Sequence, residues 1–437
     1  ARRPSRSPGE LIARRGRALM QVASSAMRAL SWKQLAPLAS WSKNYENGPT
    51  NAQSRLRLFG QSEAQVRVTL FRDNHAWCPY CQKIWLYLEE KQVPYRIAKV
   101  TMRCYGPKEK WYLQKVPNGM LPALELDGRM ITESDVILEQ LEAAFGPLGY
   151  PMRSIAELRR LERQLFSAWC RWLCYPARSQ QEEASNKQAF EAVLARVDQA
   201  LSAHPGPFFL PEFSLADVIF TPYVERMLAS LYYYKGFNMK EASPGFARWF
   251  AGMEGRETYR GTQSDAHTHS HDLPPQMGGC YENGTSEQQR CKGMVDDGPW
   301  HLLPDCGYEE PPDAINEALS RTLKHSEALI AANCVKDKAK VEEALRCALT
   351  TLTAPLTGCE GQVCRVQDEE SAVALHYVRD RINVPRDMSV WAARRMRQAL
   401  TISAASAGKV NAPPIPFEDR YDQMPAQFGV VNKLMGA

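Results

Sequence analysis

The run Val66-Arg67-Val68-Thr69-Leu70-Phe71-Arg72-Asp73-Asn74-His75-Ala76-Trp77-Cys78-Pro79-Tyr80-Cys81-Gln82-Lys83-Ile84-Trp85-Leu86-Tyr87-Leu88 decides the fold of the first folded unit. Val66, Val68, Leu70 and Phe71 form a short β-rich run, and residues 72–77 form a loop. Ile84, Trp85, Leu86 and Leu88 then recur at helical spacing. Cys78 and Cys81 therefore fall between a first strand and a helix start. A CxxC pair alone is half a zinc site, but in this position it is a redox pair. A helix N-terminus offers partial positive charge and free backbone amides to a thiolate, and a thiolate is the attacking species in disulfide exchange. Zinc needs a second ligand pair, and Cys104 is the one further cysteine between residues 66 and 148, so no metal is expected there.

Outward from this run, residues 95–100 alternate as a second strand and residues 120–126 as a third. Asp127-Gly128 turns the chain into Met130 and Ile131, and residues 134–145 form an amphipathic helix. That order is the order of an α/β thioredoxin-like domain, over residues 66–148. Residues 154–255 form an all-helical domain, with helices at 155–174, 186–203, 214–231 and from Pro244. Ser214 and Asp217 make a capping box at the third of these. Residues 256–312, rich in Gly, Pro, His and Asp, are expected to be an irregular insertion or linker. A helical extension follows over 313–407, with helices at 313–332, 335–352, 371–382 and 389–403. Residues 408–437 form an extended tail, and residues 1–65 a basic leader and linker.

The segment from Val66 to about Gly255 resembles the glutathione transferase superfamily. It is most similar to the cysteine-type branches: the omega and lambda classes, dehydroascorbate reductases and glutaredoxin-like members. Four stretches carry the resemblance, in order: Cys78-Pro79-Tyr80-Cys81; residues 116–124, which include Leu121 and Pro122; Glu133-Ser134; and Ser214-Leu215-Ala216-Asp217. They span under half of the chain. The resemblance implies that Pro122 is a cis-proline, leaving the Leu121 backbone free to pair with the cysteinyl group of glutathione. It implies that Glu133 and Ser134 hold the γ-glutamyl end, and that Lys115 meets the glycyl carboxylate, with Lys110 as a competitor. Cys78 would be the nucleophile and Cys81 the resolving thiol, whereas classes that use Tyr or Ser only stabilise the thiolate of glutathione itself. Trp169 and Trp172 are candidates for the acceptor pocket, although an aromatic stripe is more often core.

The implied chemistry is glutathione-dependent thiol transfer, either deglutathionylation or reduction of a dehydroascorbate-type substrate. Its partners would be glutathione as co-substrate and a disulfide, glutathionylated or electrophilic substrate. The alternative is an accessory or scaffold subunit of a larger organellar complex, thylakoid complexes included, because more than half of the chain lies outside the transferase-like body. Homodimerisation and peripheral association with such a complex are both compatible with the sequence.

Charge is distributed unevenly: residues 1–64 hold 11 Lys+Arg against 3 Asp+Glu, and the remainder holds 43 against 46. A body without excess positive charge disfavours nucleic-acid binding. Arg2, Arg3, Arg6, Arg14, Arg15, Arg17 and Arg28, mixed with Ser and Ala, match the composition of a transit peptide, plastid before mitochondrion. No apolar run is long enough to span a membrane. Three weaker signals remain. His267, His269 and His271 alternate in what is expected to be a solvated loop. Cys359 and Cys364 allow a local disulfide or two unpaired thiols. The segment from Ala374 to Gln398 resembles an extension found in some plastid and bacterial relatives, with Asp387 as a helix cap and Arg394, Arg395 and Arg397 on a polar face paired to the preceding helix.

Overall fold

The alternating run after Arg67 becomes the central strand of a five-stranded sheet in the computed structural model, which describes residues 27–407. Strands β1 (Leu56–Arg57), β2 (Val68–Asp73), β3 (Tyr95–Val100), β4 (Ala123–Leu126) and β5 (Arg129–Thr132) lie in the order β1-β3-β2-β4-β5. β2 and β3 are parallel, Val68 opposite Tyr95, because helix α1 (Pro79–Glu90) makes the crossover between them. Beyond the short helix α2 (Lys110–Lys115), β4 runs antiparallel to both β2 and β5. The Asp127-Gly128 turn links β4 to β5, with both residues at positive φ. Leu70, Leu124, Ile84 and Leu88 are buried with Ile137, Leu138 and Leu141 of helix α3 (Ser134–Phe145), so strand and helix periodicities meet in one core.

Four long helices follow, α4 (Ala156–Leu173), α5 (Gln180–Leu201), α6 (Leu215–Lys235) and α7 (Pro244–Glu254), with a single short turn of helix at Met239–Ala242 between the last two. Every residue of α6 is buried, which fits a helix surrounded on all sides rather than one with a solvent face. The expected capping box starts it: Ala216 N–H donates to Ser214 Oγ (3.2 Å), and Ser214 N–H to Asp217 Oδ2 (2.9 Å). The other carboxylate oxygen of Asp217 accepts from Phe209 N–H (3.2 Å) and Trp249 Nε1–H (2.9 Å).

Residues 256–312 differ from the sequence expectation. They contain helices α8 (Glu257–Thr262), α9 (Ala266–Met277) and α10 (Ser286–Asp297). The apolar period is missing because α9 is buried through polar residues. His269 Nε2 meets Glu225 Oε1 at 2.6 Å, Ser264 N–H donates to the same oxygen (2.9 Å), and Asp265 caps α9 through Thr268 N–H (2.9 Å). A buried polar group is tolerated when it is hydrogen-bonded, and no hydropathy pattern records that.

The extension has its own core, built from helices α11 (Ala314–Lys324), α12 (Ser326–Ala332), α13 (Lys338–Thr353), α14 (Glu369–Arg379) and α15 (Val390–Ala404). The expected single helix over 313–332 breaks at His325. Two of the three arginines of α15, Arg394 and Arg397, are not on a solvated face, whereas Arg395 is partly exposed. Arg394 pairs with Asp305 (2.5 Å), Arg395 with Glu310 (2.6 Å) and Arg397 with Asp265, and Arg394 and Arg397 are 3% and 0% exposed. All three partners lie upstream of the extension's helices rather than on α14. Asp387 is not the cap either. Ser389 holds that position, while Asp387 accepts from Asn383 N–H and Arg386 Nε–H, both at 2.8 Å.

The segment before β2 is likewise no free linker where it is described. Arg57 reaches Glu89 through two bonds of 2.9 Å, and Thr50 and Tyr95 donate to the same carboxylate, so residues 50–57 are fastened beneath α1. Farther upstream, Leu30 N–H donates to Thr350 Oγ1 (2.9 Å), Trp32 Nε1–H donates to Glu342 (2.8 Å), and Leu35 is fully buried in the core of the extension. The basic stretch before residue 27 and the proline-containing tail after residue 407 lie outside the described residues. Among the described residues, no helix is long and apolar enough to cross a membrane.

Candidate active site

Cys78 is the N-cap of α1, with extended backbone (φ −71°, ψ 117°) and Pro79 in the first helical position. Proline suits that position because its missing N–H would have had no helical partner. Cys81, one turn on, is the more enclosed of the two: Cys78 is 7% exposed and Cys81 1%. Burial pushes the Cys81 thiol well above its ordinary range, and its hydrogen bond to Cys78 pushes it further, so Cys81 keeps its proton and donates it to the Cys78 sulfur. An Asp73 carboxylate oxygen and both sulfurs lie within 4.8 Å of one another. Asp73 Oδ2 accepts from Trp77 N–H (2.6 Å), and Oδ1 has no hydrogen-bond partner among the described residues.

A cleft of 860 Å³ separates the sheet domain from α4 and α6, and of the redox motif it is Tyr80, not Cys78 or Cys81, that lines it. Leu121, Pro122, Glu133 and Ser134 line it together, although the sequence distributes them over two separate stretches. The Leu121–Pro122 bond is cis. Glu133 stands at φ 65°, an unusual value for a residue with a side chain, and leads into Ser134, the first residue of α3. The unbonded amides at the start of that helix supply donors for an anion.

Three expected residues stand elsewhere. Lys115 is half-exposed at the end of α2 and pairs with Glu125 (3.3 Å), outside the cleft lining. Trp169 and Trp172 are each 1% exposed. Their indole N–H groups donate to Ser230 Oγ (3.0 Å) and Glu183 Oε1 (2.7 Å), so both tryptophans fasten α4 to its neighbours and neither faces an acceptor pocket. Tyr80 and Tyr223 are the aromatic side chains on the cleft wall, edge to face with centroids 5.9 Å apart.

The cations of the site escaped the sequence reading. Lys83 and Arg159 both pair with Asp135 on the cleft wall, at 2.9 and 3.0 Å, and Arg163 lies over the Tyr223 ring. Burial lowers the Lys83 ammonium while Asp135 raises it. Lys108 donates to Thr101 O (2.6 Å) and lies within electrostatic reach of Cys78 and Cys81, and burial lowers its ammonium too. Buried Arg226 donates to Trp77 O (2.5 Å), Gln82 Oε1 (2.9 Å) and Pro222 O (2.6 Å), pinning the redox loop to α6. The i, i+4 spacing of Arg159 and Arg163 was a usable signal. For Lys108 and Arg226 there was none, since the folded chain alone brings them to the thiols. The extension also reaches this place: Trp77 Nε1–H donates to Val384 O (3.3 Å), as does Ser264 Oγ–H (2.5 Å).

The histidines expected in a solvated loop are instead on α9. His267, His271 and Asp296 bring ligand-type atoms within 4.8 Å of one another. Positive groups also occupy that place: Arg397 contacts His267 Nδ1 (3.4 Å), and Lys292 lies 3.6 Å from Asp296.

Two family models match in chain order. Residues 77–144 match the N-terminal domain of glutathione S-transferase and residues 177–252 its C-terminal domain. The Arabidopsis thaliana protein named glutathione S-transferase DHAR2 is 26% identical over 191 residues, covering 43% of this chain and 84% of that protein. Its chloroplastic counterpart DHAR3 is 26% identical over 189 residues, covering 43% of this chain and 69% of that protein. Among solved structures, glutathione transferase Omega 3C from Trametes versicolor shares 27% identity, with a TM-score of 0.39, over 46% of this chain and 85% of that one. Residues 77–252 thus carry both glutathione S-transferase domain matches in order, with a cysteine pair at the head of α1, and this part of the chain is similar to the cysteine-type members of that superfamily.

Proposed function

We propose that the protein is a glutathione-dependent thiol transferase of the deglutathionylating or dehydroascorbate-reducing kind, with Cys78 as nucleophile. The observation that carries this reading is a hydrogen-bonded dithiol at a helix N-terminus beside a cleft lined by Leu121, Pro122, Glu133 and Ser134. In the proposed cycle the Cys78 thiolate attacks the glutathionyl sulfur of a mixed disulfide. The substrate leaves as a thiolate and Cys78 carries the glutathionyl group. A second glutathione then attacks that sulfur and leaves as glutathione disulfide. Alternatively Cys81, after losing its proton, displaces glutathione and closes an internal disulfide. Ser134 and the α3 amides suit the α-carboxylate of the γ-glutamyl group, and Glu133 suits its ammonium. Lys83 and Arg159 replace Lys115 as the cleft's candidate cations.

The test is a mass measurement after treatment with glutathione disulfide. The wild-type chain gains a glutathionyl adduct at Cys78 or a Cys78–Cys81 disulfide, and Cys78→Ser loses both. No such product together with no glutathione affinity would overturn the reading. Cys81→Ser separates the two routes, because unchanged turnover means glutathione alone resolves the adduct.

A second reading is membership of a larger organellar assembly, since more than half of the chain lies outside the two matched domains. Migration of the native protein as a small free species would count against it. A plastid location is part of the proposal, supported by the basic leader and by the chloroplastic relative.

A further inference from the structure

We propose that Cys347 and Cys364, both in the helical extension, form a second dithiol site, which glutathione disulfide converts into an intramolecular disulfide. The sequence suggests Cys359 as the partner of Cys364, five residues away. The fold provides another. Cys347, on α13, is buried in the same core as Cys364. Beside Cys347 the Cys364 thiol is lowered below its ordinary value against the opposing effect of burial, and Cys347 is raised. One sulfur is thus biased toward the thiolate and its neighbour holds the proton, the division of labour that a nucleophilic and a resolving thiol require. The Cys359 sulfur instead faces Thr357 O, at 3.7 Å.

The backbone keeps the pair in register. Thr351 is one helical turn beyond Cys347 on the same face of α13. Cys364 N–H donates to Thr351 Oγ1 (3.0 Å), and the Thr351 hydroxyl donates back to Cys364 O (3.1 Å). Two residues on, Val366 N–H donates to Ser403 O (3.0 Å) on α15. Cys364 is thus held one helical turn from Cys347, and both side chains lie in the same core. Cys347 and Cys364 are 3% and 4% exposed, but the chain leading to Cys364 is exposed and turns through Gly358 and Gly361, both at positive φ. Local opening of such a turn admits a small disulfide.

The step balances. The Cys364 thiolate attacks one sulfur of glutathione disulfide, whose S–S bond breaks, and one glutathione leaves as its thiolate. Cys347 gives its proton to solvent and attacks the Cys364 sulfur, the mixed disulfide breaks, and the second glutathione leaves. Two protein thiols are oxidised, and one glutathione disulfide is reduced to two glutathiones.

The full-length wild-type chain is exposed to excess glutathione disulfide, its remaining thiols are alkylated, and it is digested without reduction. Trypsin alone leaves all three cysteines on residues 347–365, so chymotrypsin and a glutamyl protease are added to cut after Leu352 and Glu360. The expected product is a fragment pair joined through Cys347 and Cys364 and released by dithiothreitol. In Cys347→Ser, Cys364 instead retains a glutathionyl adduct. A bridge between Cys359 and Cys364, or full alkylation of both Cys347 and Cys364 in the treated wild-type chain, would overturn the proposal.

Discussion

Asp217 illustrates how one side chain can serve a fold and resist it. Its carboxylate accepts from Ser214, Phe209 and Trp249, yet burial outweighs these bonds and holds the carboxyl up at about 6. The unfolded value is about 3.9, so the native state binds the proton more tightly between those values. This group's contribution is therefore greatest below about pH 4 and is lost as pH rises through about 6. Asp217→Asn sets an amide N–H against the Ser214 donor, and we expect it to cost about 1–3 kcal/mol. The gap between wild type and variant in urea unfolding should be wider at pH 5 than at pH 7, and equal gaps would contradict the assignment. Much at this scale was legible in advance: Ser214, Asp217, Pro122, Glu133 and Ser134 lie in local motifs whose geometry neighbouring residues set. Lys108, Arg226 and the burial of Trp169 were not, because each depends on segments far away in sequence.

At the scale of elements, α9 and α15 meet through charge rather than grease. Arg397 and Asp265 are buried together, and removing one leaves the other unpaired in low dielectric. Arg397→Met should cost about 3–5 kcal/mol, and adding Asp265→Asn should restore part of it. A strictly additive double variant in denaturant unfolding would show that the pair is not coupled. The junction of α11 and α12 offers a pH test of opposite sign. Burial, with Arg321 second, holds His325 down to about 4, whereas an unfolded histidine titrates near 6.5. Stability from this group is present above about pH 6.5 and is lost as pH falls through about 4, and His325→Gln should flatten that acid limb in thermal melts. These elements also mark where sequence pattern ran out. A helix such as α9, buried on most sides and satisfied by salt bridges, has no apolar stripe to detect.

Over the whole molecule, the transferase body and the extension behave as one packed object rather than a body with an appendage. Asp265 and Asp305 wait for Arg397 and Arg394, and Val384 shares its carbonyl between Trp77 and Ser264. A chain ended at residue 312 would lose both arginines, the Val384 carbonyl and the helices that bury Leu35. Such a chain should be insoluble or unfold at far lower urea than the full chain, and equal midpoints would refute the single-object description. The attachment of residues 27–38 to α13 adds a constraint of time. Leu30 and Trp32 leave the ribosome more than 300 residues before Thr350 and Glu342, their partners in the finished fold. At about 5–20 residues per second, roughly 15–60 s pass before those partners exist. The piece of this stretch made first is thus the piece seated last, and until then its apolar side chains are open to whatever receives the nascent chain.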